Sequence, residues 1–391
     1  MTVFAALMTG KGTGAISTIQ VFGEQSEAVI EKIFKPTGTR PAAFRAGEIL
    51  LGTIYEGPEV IDQVTIGCEQ DNSFAINCHG NPLIVEMIMQ LLQRCGTELL
   101  TAEQLLTKIL SFEKSINTIA VEAKLAQLKA KTIQGTKIVA NQIEGGLSKR
   151  AQNWLGNINE MSLGKIQAEA IRILHKSQTA KLIIYGCTAA LIGPPNSGKS
   201  TLLNCLAGRQ KAIVTDIKGT TRDWVEATCQ VDPLSLTLID TAGLDQILPA
   251  PEDTIEKAAQ TKSVQILEQA DLVLLVLDNS RPEWELDEQY GRKIADKKVI
   301  TVLNKSDLPA KFDTGKLPEV LSNTVQISAR EGTGIENLIE KIRQISGVTG
   351  FDSQQPVCFT NRQENLLGQL QKAKSKQQAT STTTELLNGP V

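Results

Sequence analysis

Gly193-Pro194-Pro195-Asn196-Ser197-Gly198-Lys199-Ser200 is the stretch on which the reading of this chain turns. It fits G-x-x-x-x-G-K-[ST], between the apolar run Thr188–Ile192 and the helical run Ser200–Ala207, the strand-loop-helix context that the pattern requires. Glycines let such a loop wrap phosphate oxygens with successive backbone N–H groups pointing inward, and the helix that follows adds its positive N-terminal end. Lys199 is then placed to reach the β- and γ-phosphates, and the Ser200 hydroxyl to hold Mg²⁺. Ser197, Gly198 and Thr201 complete the phosphate contacts.

Working outward, apolar strands alternate with helical segments, which implies a largely parallel sheet. The expected strands are Thr188–Ile192, Ser235–Ile239, Asp271–Leu277, Val299–Leu303 and Thr324–Ile327. Asp240-Thr241-Ala242-Gly243 follows one of them, an acid at a strand end suited to the Mg²⁺ water shell and a glycine amide suited to a γ-phosphate. Asn304-Lys305-Ser306-Asp307 follows another. A carboxylate at Asp307 accepts from N1–H and the 2-amino group of guanine, whereas adenine would leave it unpaired. Asn304 fastens the loop, Lys305 lays its stem along the base, and Ser328-Ala329 offers a backbone amide to the guanine oxygen. These residues, in this order, point to a GTP- and GDP-binding domain that hydrolyses GTP, with Lys199 among the catalytic groups.

The block is flanked by helical pattern on both sides. Leu105, Ile109 and Leu110, then Ile116, Ile119 and Ala120, recur at helical spacing, and Gly145-Gly146 and Gly156 mark breaks between helices. Another helix is expected over Arg362–Lys376, followed by a polar Ser/Thr tail. Ahead of these, Ile16–Phe22, Glu48–Tyr55 and Gln63–Gly67 read as strands and Pro82–Arg94 as a helix. The expectation is an α/β plus α chain: an N-terminal α+β domain over 1–100, a helical domain over 101–185 and 349–391, and a P-loop GTPase domain of the TRAFAC type, with a mostly parallel sheet, inserted between them over 186–348.

Composition narrows the rest. The chain is 41% hydrophobic and 21% charged with a formal net charge of −3, so any nucleic-acid contact must use a local basic patch. Seven scattered cysteines without a C-x-x-C pair, and only His79 and His175, argue against a zinc site or a His-based triad. The start lacks a basic n-region and no apolar run spans a bilayer, so a cytoplasmic protein without membrane contact is expected.

The run Ala212-Ile213-Val214-Thr215-Asp216-Ile217-Lys218-Gly219-Thr220-Thr221-Arg222-Asp223 closely resembles the switch segment of the MnmE (TrmE) family of tRNA-modifying GTPases. Leu7–Ala15, Val21-Phe22-Gly23, Val60-Ile61-Asp62-Gln63 and Cys78-His79-Gly80-Asn81-Pro82 are similar to the family's N-terminal motifs. The resemblance implies a potassium site in which Asn196, with Thr215, Ile217 and Thr220, holds K⁺ against the phosphates, and makes Thr221 the Mg²⁺-binding switch threonine. Leu244 stands where Ras-type enzymes carry a water-orienting glutamine. The family positions the water with a switch glutamate, here Glu256, with Glu252 as its rival. It also implies a dimerising N-terminal domain that binds a reduced folate, a homodimer, and work with an MnmG-type flavoprotein on tRNA.

The chain departs from the family pattern in several places. Lys11 stands where arginine is usual, and Phe74 runs directly into Ala75-Ile76-Asn77-Cys78 without a T-G-E-D segment. Residues 97–115 lack P-G-E-F and N-G-K-x-D-L, and Glu385–Val391 lacks C-x-G-K. Two functions are therefore open: tRNA wobble-uridine modification with K⁺-assisted GTP hydrolysis, or an MnmE-derived regulatory GTPase switch without that activity.

Overall fold

In the first part of the chain, positions 61–69 alternate buried and open, as in a sheet face that meets the core, while 73–76 are buried throughout. The computed structural model describes residues 2–10, 12–38, 44–70, 72–112, 117–209, 225–240, 266–282, 294 and 296–390. It divides into two compact units, Met1–Ile116 and Asn117–Val391.

The first unit is built on a seven-stranded sheet of order β3-β4-β5-β6-β2-β1-β7. Its strands are β1 (Val3–Leu7), β2 (Ile16–Phe22), β3 (Phe34–Pro36), β4 (Ile49–Glu56), β5 (Glu59–Gln70), β6 (Ser73–His79) and β7 (Thr97–Leu99). Ile19, Val21, Ile54, Val64, Ile66 and Ile76 pack with α1 (Ser26–Ile33) and α2 (Pro82–Arg94) in one core. β6 is unbroken and pairs on both sides, without a shift along β2 and with a bulge in β5 between Cys68 and Gln70, so the stretch lacking T-G-E-D runs as one strand. Helix α3 (Ala102–Phe112) belongs to this unit, with Lys108 Nζ 4.3 Å from the Phe4 ring centroid. This corrects the expected start of the helical domain at residue 101. Its apolar spacing marks a helix, but periodicity does not say which core a helix faces.

The second unit holds the helical part and the α/β part together. Helices α4 (Thr118–Gln127), α5 (Ile133–Glu144), α6 (Gly146–Gly156) and α7 (Leu163–Tyr185) precede β8 (Cys187–Ile192). Then come α8 (Lys199–Arg209), β9 (Val225–Val231), β10 (Leu234–Asp240), β11 (Leu272–Asp278), β12 (Val299–Asn304), β13 (Thr324–Gln326) and α9 (Ile335–Ser346). The sheet order is β13-β12-β11-β8-β10-β9, parallel except for the β10–β9 pair.

The chain then returns to the helices. Helices α10 (Asn361–Gln371) and α11 (Lys376–Asn388) pack on α4, α6 and α7, which makes the α/β part an insertion. Buried Glu122 on α4 accepts from Arg362 Nε at 2.9 Å, Gln363 Nε2 at 2.7 Å and Thr360 Oγ1 at 2.8 Å. Cys358 N donates to Ser177 Oγ at 2.8 Å, and Tyr185 OH to Phe359 O at 2.8 Å.

Helix α10 stops at Gln371, short of the expected Lys376, and the polar tail forms a helix of its own, α11. Its threonines are poor helix formers, yet Ala379, Thr382, Thr383, Leu386 and Leu387 fall at helical spacing and are buried. Thr383 Oγ1 is satisfied by Ala379 O one turn back, at 2.7 Å.

Candidate nucleotide-binding site

Between β8 and α8 the backbone follows a path that only its own residues tolerate. A Cβ on Gly193, at φ 142°, would stand 2.1 Å from Val276 O, and one on Gly198, at φ 98°, 2.2 Å from Asn304 Nδ2. Asn196 takes the left-handed region at φ 62°, which asparagine enters more readily than most residues. Lys199 is buried, its Nζ donating to Gly193 O at 2.8 Å and Pro194 O at 3.0 Å, so its ammonium lies inside the loop. Thr201 is exposed on the first turn of α8. Ser197 is buried, and its hydroxyl has no hydrogen-bond partner among the described residues.

Ser200 Oγ donates to Asp240 Oδ2 at 2.6 Å, and Asp240 is 1% exposed. A hydroxyl and a carboxylate at adjacent strand and helix ends are hard oxygen donors of the kind Mg²⁺ takes, directly or through its waters. The residues fit that ion.

Asn304 links this loop to the other end of the site. Its Nδ2 donates to Ser197 O at 2.9 Å, and its Oδ1 accepts from Ala329 N at 3.0 Å. One buried amide thus holds the phosphate loop and the turn after β13 in a fixed relation. Asp307 Oδ1 accepts from Ser328 Oγ at 2.6 Å. That bond and a backbone N–H, helped by Arg330 and Lys305, hold the Asp307 carboxyl below the usual carboxylate range against the opposing effect of burial. It is therefore ionised at neutral pH, as acceptance of two guanine donors would require.

Lys305, in the left-handed region at φ 63°, places Nζ 2.7 Å from Asp278 Oδ2. Burial pushes the Asp278 carboxyl up, but the bonds from Lys305 and Ser280 outweigh it, and the net shift is down. Asp278 was not singled out from the sequence, although an acid ending the apolar run Leu272–Leu277 is the same signal that marks Asp240. The structure brings together Asn196, Ser197, Gly198, Lys199, Ser200, Thr201, Asp240, Asn304, Lys305, Asp307, Ser328 and Ala329. Thr215, Ile217, Thr220, Thr221, Gly243, Leu244, Glu252, Glu256 and Lys11 lie outside the described residues.

In the first unit, the motifs at Val60–Gln63 and Cys78–Pro82 meet. Asp62, 8% exposed, accepts from His79 N at 2.8 Å through Oδ2, and its Oδ1 lies 2.7 Å from His79 Nδ1. Burial, with Asp62 nearby, pushes the Cys78 thiol up to about 11. Among the described residues, no helix is long and apolar enough to cross a membrane.

Known proteins match both units. Residues 188–305 match the family described as 50S ribosome-binding GTPase, and residues 3–104 that described as GTP-binding protein TrmE N-terminus. The tRNA modification GTPase MnmE of Lacticaseibacillus paracasei is 32% identical, over 94% of this chain and 86% of that protein. Its counterpart in Bacillus subtilis is 30% identical, over 96% and 88%, and that of Clostridioides difficile 29%, over 91% and 84%. The chain thus belongs to the MnmE (TrmE) family, and it is a GTP-hydrolysing enzyme.

Proposed function

We propose that this chain hydrolyses GTP in the service of tRNA modification at the wobble uridine, as a homodimer working with an MnmG-type flavoprotein. The observation that carries the proposal is the length of the likeness: relatives described as tRNA modification GTPases align through both units and not the G domain alone. In this reading the loop Gly193–Ser200 and the turn Ser328-Ala329 take the two ends of GTP. Ser200, Asp240 and Thr221 serve Mg²⁺, and Asp307 reads guanine.

Hydrolysis without a glutamine after Gly243 needs another source of charge and another group to orient water. K⁺ held by Asn196 with Thr215, Ile217 and Thr220 would supply charge beside the phosphates, in the position where an arginine finger contributes 10³–10⁵ in rate. Glu256 would orient the water, and a reduced folate would bind the N-terminal unit. The potassium reading rests on Asn196, which lies within the phosphate loop in the left-handed region at φ 62°.

Nucleoside mass spectrometry of tRNA from a deletion strain, complemented with the wild-type chain or with Lys199→Ala, tests the whole. Loss of the modified wobble uridine, restored by the wild type alone, is expected. Unchanged wobble uridine would leave the regulatory-switch reading instead. GTP turnover of the purified protein should be several-fold faster in K⁺ than in Na⁺, and equal rates would remove potassium from the mechanism.

A further inference from the structure

The helical part of the second unit is basic where the rest of the chain is acidic. Residues 117–185 carry ten lysines and arginines against four acids and residues 349–391 four against three, while all other residues carry 26 against 36. Three of those seven acids are taken up internally. Glu122 is held by Arg362 at 2.8 Å, Glu364 by Lys181 at 2.5 Å, and Glu169 by Trp154 Nε1 at 2.8 Å and Arg150 at 3.5 Å, with Arg172 at 4.0 Å. The surplus positive charge therefore faces outward.

Part of it collects in one place. Gln167 Nε2 donates to Ala373 O at 3.0 Å, and Lys376 Nζ to Asn159 O at 2.8 Å, so the turn between α10 and α11 lies against the start of α7. This contact brings exposed Lys372 and Lys374 beside exposed Lys165. Lys165, Arg172 and Lys176 then follow one another at helical spacing along one side of α7, a stripe about 16 Å long at 1.5 Å per residue. All three are exposed, with Arg172 4.0 Å from Glu169 and Lys176 donating to Gln355 Oε1. Glu160, in the loop before α7, is an exposed acid close by in sequence.

We propose that this surface, formed by Lys165, Arg172, Lys176, Lys372 and Lys374, docks the phosphate backbone of RNA. The proposal rests on the tRNA reading above and says where on this chain the RNA would lie. Cations on a rigid helix, with no aromatic side chain among them, suit phosphates and shape rather than bases. A lipid surface would ask for a broad apolar face beside the charges, and on α7 the one exposed large apolar residue is Ile171.

The test is tRNA binding by the full-length protein, measured by fluorescence anisotropy across a salt series. Lys165→Gln/Lys372→Gln/Lys374→Gln is compared with the wild type and with Lys137→Gln/Lys149→Gln, which removes exposed charge elsewhere on the helical part. Lys376 is left in place because its ammonium holds the turn. The triple variant should bind roughly tenfold more weakly, with the slope of log K against log salt smaller by about 3. The Lys137/Lys149 variant should change little, and GTP turnover should be unchanged in both.

Wild-type binding that the triple variant keeps, at the same slope, would overturn the surface and leave the tRNA reading standing. Equal losses in both variants would overturn it too, as a general charge effect. A wild type that binds no tRNA at low salt would remove both, as would binding to phosphatidylserine vesicles in place of tRNA.

Discussion

Two glycine-bearing motifs, one in each unit, look equally chemical in sequence and differ in structure. In Gly193–Ser200 the glycines clear the way for contacts reaching far along the chain, to Val276 and to Asn304. In Cys78–Pro82 the single glycine, Gly80, also clears a distant approach, but to backbone it pairs with at Gly14 and Ala15, beyond the ends of β2 and β6. A Cβ on Gly80 would stand 2.4 Å from Gly14 O, Asn81 caps α2 by accepting from Leu83 N at 2.9 Å, and Pro82 opens that helix. Most of the second motif is thus accounted for by backbone pairing and by the start of α2; what exceeds them is the Asp62–His79 pair. A motif speaks for chemistry when its side chains reach beyond their own loop.

The sharpest way to break this contrast is to remove the reaching side chain. Asn304→Ala leaves Ser197 O and Ala329 N without their partner in a buried site, at about 1–3 kcal/mol for each group. GTP affinity by calorimetry should fall on the order of 100-fold or more, and a variant that binds GTP normally would mean that the two ends of the site are held by something else.

Asp62→Asn should act the other way round. An amide accepts on one side only, so it cannot accept from both His79 N and Gln63 N, which the two carboxylate oxygens do at 2.8 and 2.9 Å. Unfolding of the first unit should become easier by about 1–3 kcal/mol, while GTP turnover stays within twofold. Loss of turnover would show that the N-terminal motif serves hydrolysis after all.

A smaller effect belongs to the helices that enclose the G domain. Burial, with Glu122 nearby, pushes the Tyr185 phenol up to about 12. A raised folded-state pKa on an acid means that the unfolded chain loses the proton first. The stabilisation is therefore present below about pH 10 and lost as pH rises from about 10 toward 12. Alkaline unfolding followed by circular dichroism should show this loss, and Tyr185→Phe should flatten that part of the profile.

How much was legible follows from what each residue answers to. Strands β8, β10, β11 and β12 are buried along nearly their whole length, so their apolar runs marked them within one residue at each end. Edge strand β9, with Glu226 and Gln230 exposed and Cys229 and Val231 buried, carries too mixed a pattern to stand out. The candidate nucleotide residues stand out in the sequence because phosphate and guanine impose residue types at fixed spacing, and the structure gathers those it describes. The staple through Asn304 was legible as a role but not as a pair of partners, and the Lys305–Asp278 bond was not legible at all. Helix α11 was hidden because its threonines are helical only by virtue of the face they bury, and α3 was found but assigned to the wrong core.

The central claim, that this site reads guanine through Asp307 while the phosphate loop holds the other end, is tested most directly by changing the base. Xanthine carries an acceptor where guanine carries its amino group, so Asp307→Asn should exchange preferences. Turnover with the wild type should favour GTP over xanthosine triphosphate, and the variant should lose GTP turnover by on the order of 10–100-fold while gaining xanthosine triphosphate turnover. A variant that keeps the wild-type preference for GTP would contradict the account.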